Sequence, residues 1–279
     1  MLPLIINFTP TGMVPVKKVT PHVPISPMEI IEEVHAAYET GITLAHLHAR
    51  HADESAAYEK RIYAEIFEGV RRHCPDLVLC ASLSGRAFPA FEKRSEVLEL
   101  EPDMASLTLS SMNFTQEPSV NSPEMIMRLA EKMEHHGVRP ELECFDGGMI
   151  NYAKYLIGKS VLKPPFYFNL LVGNIATAQD DLLQTGLLIN QLPAGALWSL
   201  AGIGKSQLRA NTLALLEGGG VRVGLEDNIW LDAERSVLAT NQQLLRRIHD
   251  LAAVFERPVM SPAAFGKLGF YNARRTSHA

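Results

Sequence analysis

Short apolar runs alternate with longer helix-patterned stretches from one end of the chain to the other. Eight candidate strands can be read, at residues 4–7, 44–49, 77–82, 104–109, 139–144, 167–172, 197–201 and 220–224. Helical candidates lie between them, among them 28–40, 58–72, 122–135, 149–157, 180–191 and 206–217. Strands separated by helices pair in parallel through right-handed crossovers. Eight such units in 279 residues predict an α/β fold closed into a (β/α)8 TIM barrel, which needs about 250 residues. An open doubly wound sheet would more often carry a glycine-rich fingerprint after its first strand. Here that strand is followed by Thr9-Pro10-Thr11-Gly12. Residues 1–279 therefore read as one barrel domain, with the chain from about residue 256 as a peripheral C-terminal extension of helix and loose tail.

Punctuation along the chain agrees. Ser26-Pro27 and Ser122-Pro123 have the form of an N-cap followed by proline at the first helical position, and Gly41 and Gly137 stand where helices should stop. Gly218-Gly219-Gly220 precedes the eighth strand, so it reads as a turn at the N-terminal end of the barrel rather than a phosphate cradle. His135-His136 reads as a solvated helix end.

Composition narrows the partners. Hydrophobic residues make up 47% of the chain, enough for a large core, and the net charge of −5 comes with no basic patch or tail to suggest nucleic acid or an anionic membrane. Cys74, Cys80 and Cys144 are odd in number and widely spaced, which points to a reduced, cytoplasmic protein. The N-terminus has no signal-peptide pattern, and no apolar run approaches the roughly 20 residues of a membrane helix.

The sharpest chemical signal is Ala45-His46-Leu47-His48-Ala49-Arg50 at the end of the second strand. Side chains alternate along a strand, so His46 and His48 share a face. Two imidazoles converging at the C-terminal end of a barrel strand suit one metal ion, and that end is where barrel enzymes build their sites. A third ligand is available from Arg222-Val223-Gly224-Leu225-Glu226-Asp227-Asn228, where continued extension would place Arg222, Gly224 and Glu226 on one face. The first strand is flanked by the second and eighth in a closed barrel, so His46, His48 and Glu226 can meet. Two histidines and a carboxylate form a ligand set of the catalytic-zinc type, one that also suits non-haem iron. Glu143, among apolar neighbours on the fifth strand, is either paired with a cation such as Arg222 or placed at the mouth for proton transfer. Asp227 is either a general base or the cap of the following helix. Ser82, Gly85 and Ser106 lie at or after the third and fourth strands, near the same mouth.

Taken together, the strand-two H-L-H-A-R, the Ser82–Gly85 stretch, Glu141-Leu142-Glu143-Cys144-Phe145-Asp146-Gly147-Gly148 and the Arg222–Asn228 stretch resemble the β-keto acid cleavage enzymes, of the 3-keto-5-aminohexanoate cleavage type. The resemblance spans about residues 4 to 260. It implies a zinc-dependent acyltransferase that makes acetoacetate and a new acyl-CoA from a β-keto acid and acetyl-CoA. It makes His46, His48 and Glu226 the metal ligands and Asp227 the base, with Arg222 and Glu143 in electrostatic support. Ser82, Gly85 and Ser106 would help hold the substrate carboxylate, and the family is similar to homotetramers. One position departs from the pattern. The aminohexanoate-cleaving enzymes resemble Thr-Gly-Ala-Glu after strand one, and that glutamate receives the substrate's amino group. This chain has Thr11-Gly12-Met13-Val14, so Val14 implies a substrate without a cationic amino group. The alternative from another class is a metal-dependent hydrolase. Amidohydrolase barrels, however, place their H-x-H after strand one and add later histidines, and this chain has none from 137 to 247.

Overall fold

A computed structural model describes residues 2–275. The eight strands are β1 (Ile6–Phe8), β2 (Leu44–Leu47), β3 (Val78–Ala81), β4 (Met104–Thr108), β5 (Arg139–Cys144), β6 (Tyr167–Val172), β7 (Leu197–Gly202) and β8 (Gly220–Val223). They close in sequence order, every neighbouring pair parallel, with β1 hydrogen-bonded to both β2 and β8. The (β/α)8 barrel is therefore the fold. Asn7 of β1 stands opposite Arg222 on one side and Leu44 on the other, which sets the level at which the second and eighth strands end.

The eight main helices are α1 (Pro27–Thr40), α2 (Lys60–His73), α3 (Phe91–Ser95, continued as a 3-10 turn), α4 (Pro123–His135), α5 (Gly147–Gly158), α6 (Leu182–Gln191), α7 (Ser206–Leu216) and α8 (Asn241–Val254). Caps fix several starts. Ser26 accepts from the Glu29 amide in a full capping box, Ser122 accepts from Met125, and Asp146 accepts from Met149. Two helices were not singled out from the sequence, α3, which is too short for a periodic pattern, and α8.

Strand ends differ from the sequence expectation where pairing stops. Backbone pairing of β2 with the barrel ends at Leu47, and Ala49–Arg50 instead starts a small antiparallel hairpin with Ala56–Ala57. His48 sits at that break. The expected first strand of residues 4–7 lies at 6–8, and Leu4 bridges to Val259.

The C-terminal segment corrects the sequence reading more substantially. A peripheral extension was expected from about residue 256; its last residues, 276–279, lie outside the described residues. What is described closes the barrel floor. Phe265, at the end of the short helix α9 (Pro262–Phe265), and Phe270 are fully buried, stacked 4.3 Å apart beneath Tyr167 of β6. Arg257 is buried too, donating to the carbonyls of Leu2, Ala214, Leu215, Gly218 and Gly219. A bare barrel end would leave apolar strand residues such as Leu44, Val78 and Met104 wet, and this segment covers them.

Candidate active site

Strand alternation turns His46 into the barrel, where it is buried, and its partner comes from across the interior. Its Nδ1 lies 2.6 Å from Oε2 of Glu141 on β5. Glu141 is itself saturated, accepting from Asn7 Nδ2 at 2.5 Å, Asn169 Nδ2 at 3.2 Å and the Cys80 thiol at 3.4 Å. A carboxylate facing Nδ1 accepts the Nδ1–H hydrogen bond, fixing the proton on that nitrogen and leaving the Nε2 lone pair facing the mouth. Glu141 is a functional residue that sequence reasoning misses. The available signal was its place two residues before Glu143, on the same inward face and one layer deeper.

Above it, His46 Nε2 and His48 Nε2 are 3.4 Å apart, and Glu226 Oε1 lies 3.1 Å from the second and 4.0 Å from the first. The sequence-predicted ligands are thus brought together, although not by the route expected. Extension does not persist past β8. Gly224 packs so tightly on the chain leaving β1 that a Cβ there would lie 2.1 Å from the Thr9 carbonyl oxygen. The chain then turns, with Leu225 N bonded to Asn241 Oδ1 and Glu226 N to Thr9 O, and this turn delivers Glu226 to the histidines.

A cation fits this set on two observations. Glu226 Oε2 is buried with no hydrogen-bond partner. Two imidazole nitrogens also face one another at a separation close to the roughly 3.3 Å between ligand atoms of a tetrahedral zinc site. Burial alone would suppress a charge on His46, yet Glu141 and Glu226 outweigh it and raise its pKa. At His48 burial wins and the pKa is lowered. Surroundings that draw a proton to His46 draw a metal cation by the same electrostatics.

Arg222 organises the acidic groups. Its guanidinium donates to Glu226 Oε1 at 2.6 Å and to Asp227 Oδ2 at 2.8 Å, and reaches Glu143 Oε1 at 3.5 Å. Of the two readings open for Glu143, pairing with Arg222 is the one the geometry favours, and Thr108 Oγ1 also donates to it at 2.7 Å. Asp227 caps no helix: the next one, α8, is capped by Thr240. Burial raises the pKa of both Asp227 and Glu143 against the pull of Arg222. For Glu226 the balance reverses, and Arg222 with the two imidazoles overcomes burial to hold it well below the usual carboxylate range.

The remaining sequence candidates divide. Ser82 lines a small pocket together with His48, Met13, Ala57, Tyr58 and Phe88. Ser106 does not line it; its hydroxyl accepts from Leu83 N at 3.0 Å and props the loop after β3. Gly85 is buried where a Cβ would come within 2.7 Å of the Val120 carbonyl, so its place is in the packing of that loop. Val14 is 60% exposed and outside the cavity wall, which Met13 forms instead.

Fold and site together define a barrel enzyme whose C-terminal mouth joins two histidines and a glutamate that could hold a metal ion to a buried arginine–carboxylate network. The chain belongs to the beta-keto acid cleavage enzyme family, whose profile matches residues 3–268. It is 34% identical over 264 residues to a 3-oxoadipate:acetyl-CoA acetyltransferase of Cupriavidus necator, covering 94% of this chain and 92% of that protein. It is 33% identical over 265 residues to a 3-keto-5-aminohexanoate cleavage enzyme of Acetoanaerobium sticklandii, covering 93% and 95%. Among solved structures, the ternary complex of ObcA with a C4-CoA adduct and oxalate superimposes with a TM-score of 0.79 at 20% identity, over 89% of this chain and 67% of that one, a likeness of fold. Family membership goes against the metal-dependent hydrolase alternative.

Proposed function

We propose that the protein is a zinc-dependent β-keto acid cleavage enzyme, condensing a β-keto acid with acetyl-CoA to give acetoacetate and a new acyl-CoA. The observation that carries this reading is Arg222, buried and bonded to Glu226 and Asp227 directly beside the paired imidazoles of His46 and His48. His46, His48 and Glu226 would hold a divalent ion, which would supply the Lewis acidity that acidifies the carbon between the keto and carboxylate groups of the substrate. Two imidazoles and a carboxylate favour zinc as that ion.

Asp227 then takes the proton from that carbon. Its raised pKa suits a base that must later return the proton, and Arg222 orients it through the Nε bond. The enolate carbon attacks the acetyl thioester carbonyl, forming a C–C bond and releasing CoA thiolate. The thiolate adds to the original keto carbon, and the bond from that carbon to the former enolate carbon breaks. Acyl-CoA leaves, and acetoacetate takes up the proton. Glu143, tied to Arg222 and Thr108, keeps the guanidinium in place. Ser82 and the loop holding Gly85, propped by Ser106, form the carboxylate-binding side of the site.

The substrate lacks a cationic amino group. Val14 offers no carboxylate, and the pocket beside His48 is lined by Met13, Ala49, Ala57, Tyr58, Leu83 and Phe88 with no acidic residue and with two cations, Lys93 and Arg94. The chain works as a single domain and a cytoplasmic homo-oligomer, a tetramer by family resemblance. Three buried free cysteines support the compartment, and no helix among the described residues is long and apolar enough to cross a membrane.

The test is acetoacetate formation from acetyl-CoA with a panel of β-keto acids, on zinc-loaded protein and on His46→Ala. We expect turnover of keto acids with neutral arms and loss of turnover by about 10³-fold or more in the variant. Metal-replete protein that turns over no keto acid but hydrolyses amides or esters would overturn the reading.

A further inference from the structure

Arg50 follows His48 by two residues and is 2% exposed, yet its guanidinium bonds to backbone carbonyls and to no carboxylate among the described residues. Burying a charge is costly unless hydrogen bonds compensate it, so its three bonds call for an explanation. Nη1 donates to the Gly12 carbonyl at 2.9 Å, in the loop after β1. Nε and Nη2 both donate to the Glu54 carbonyl, at 2.9 and 2.5 Å, in the turn of the hairpin after β2. Glu54 holds φ of 68°, a left-handed conformation unfavourable for a residue with a side chain, and Arg50 receives the carbonyl this conformation presents. The Glu54 carboxylate in turn accepts from Lys17 N at 2.7 Å, binding the hairpin back to the β1 loop.

Gly12 is the link to the chemistry. Its φ is 65°, and a Cβ built on it would lie 2.6 Å from Glu226 Cγ, so the Gly12 backbone forms a wall against that side chain. We propose that Arg50 is a positioning residue for Glu226. It pins Gly12 through the carbonyl, and Gly12 keeps the Glu226 carboxylate turned towards His48. The inference rests on the reading of His46, His48 and Glu226 as metal ligands. A forked guanidinium is required because one group must hold two carbonyls on two loops, which a lysine ammonium does with less geometric control.

The test measures Zn²⁺ affinity by competition with a chromogenic chelator, alongside thermal unfolding, in Arg50→Met, Arg50→Lys, Gly12→Ala and the Arg50→Met/Gly12→Ala double variant. Arg50→Met should fold and bind Zn²⁺ about 10–100-fold more weakly, the usual effect of removing a group that orients a ligand. Arg50→Lys should fall between it and wild type. The double variant should bind no more weakly than Gly12→Ala alone, because both changes act through one contact. Wild-type affinity in folded Arg50→Met overturns the proposal, as do effects that multiply in the double variant. If Arg50→Met does not fold, wild-type affinity in Arg50→Lys overturns it. Zn²⁺ binding that His46→Ala leaves unchanged would remove the metal site itself and the clamp with it, an outcome distinct from loss of the clamp alone.

Discussion

The two ends of this barrel are both buried and built by opposite means. At the C-terminal mouth, His46, His48, Glu141, Glu143, Arg222 and Asp227 are withdrawn from water, together with most of Glu226, and compensate one another. At the floor, Tyr167, Met260, Phe265 and Phe270 close the same cylinder with apolar surface, and the two Nη groups of Arg257 donate to carbonyls. Burying apolar groups stabilises a fold directly, whereas a buried ion-pair network returns little net stability for its desolvation. What the mouth gains is a fixed electrostatic field around the paired imidazoles of His46 and His48. Stability and chemistry are thus drawn from opposite ends of one cylinder, as the barrel architecture permits.

Substitutions can break that comparison. The largest expected effect is at the mouth. Asp227→Asn keeps the shape and removes the proposed base, so kcat should fall by about 10²–10⁴-fold while Zn²⁺ affinity stays within a few-fold of wild type. A comparable loss of metal would instead make Asp227 part of the ligand framework. At the floor the order reverses. Phe265→Ala removes a fully buried ring and should cost about 3–5 kcal/mol, lowering Tm by roughly 10 °C with KM for the keto acid unchanged. A raised KM without a change in Tm would show that the two ends are coupled.

The exposed rim should matter least. Glu29, in the α1 capping box, is pushed up by burial but more strongly pulled down by Lys17 and the Ser26 and Ile25 amides, to a pKa of about 2. A depressed carboxylate pKa contributes stability that is present above the unfolded value and lost as pH falls through the folded one. Glu29→Gln should therefore cost less than about 1 kcal/mol at neutral pH. Its difference from wild type should shrink as pH falls from about 4.5 to about 2. A pH-independent difference would mean that the capping geometry matters and the charge does not.

The sequence alone showed most of the barrel, because each strand and helix is written in short-range periodicity and caps such as Ser26-Pro27 are local. The same locality exposed the His46–His48 pair, since alternation along one strand suffices to put both on one face. The floor was not legible in the same way: Pro262–Phe265 is too short to show a period, and nothing local distinguishes a plug from a tail. Nor was the role of Glu141, whose bond to His46 spans 95 residues of sequence.

By itself, then, the sequence determined the eight-fold alternation, the paired imidazoles and the residue types available for the third ligand. Only the tertiary structure decided which of them meet. The turn that brings Glu226 to His48 exists because Gly224 is pressed against Thr9, the residue that follows β1. Asp227 bonds to Arg222 rather than capping a helix because the next helix starts at Asn241. Arg50 reaches Gly12 because β1 and β2 are adjacent in the closed sheet. The first and third of these share one physical reason. Periodicity and capping act over a few residues, whereas these contacts depend on the register of strands distant in sequence, which is set only when the barrel closes.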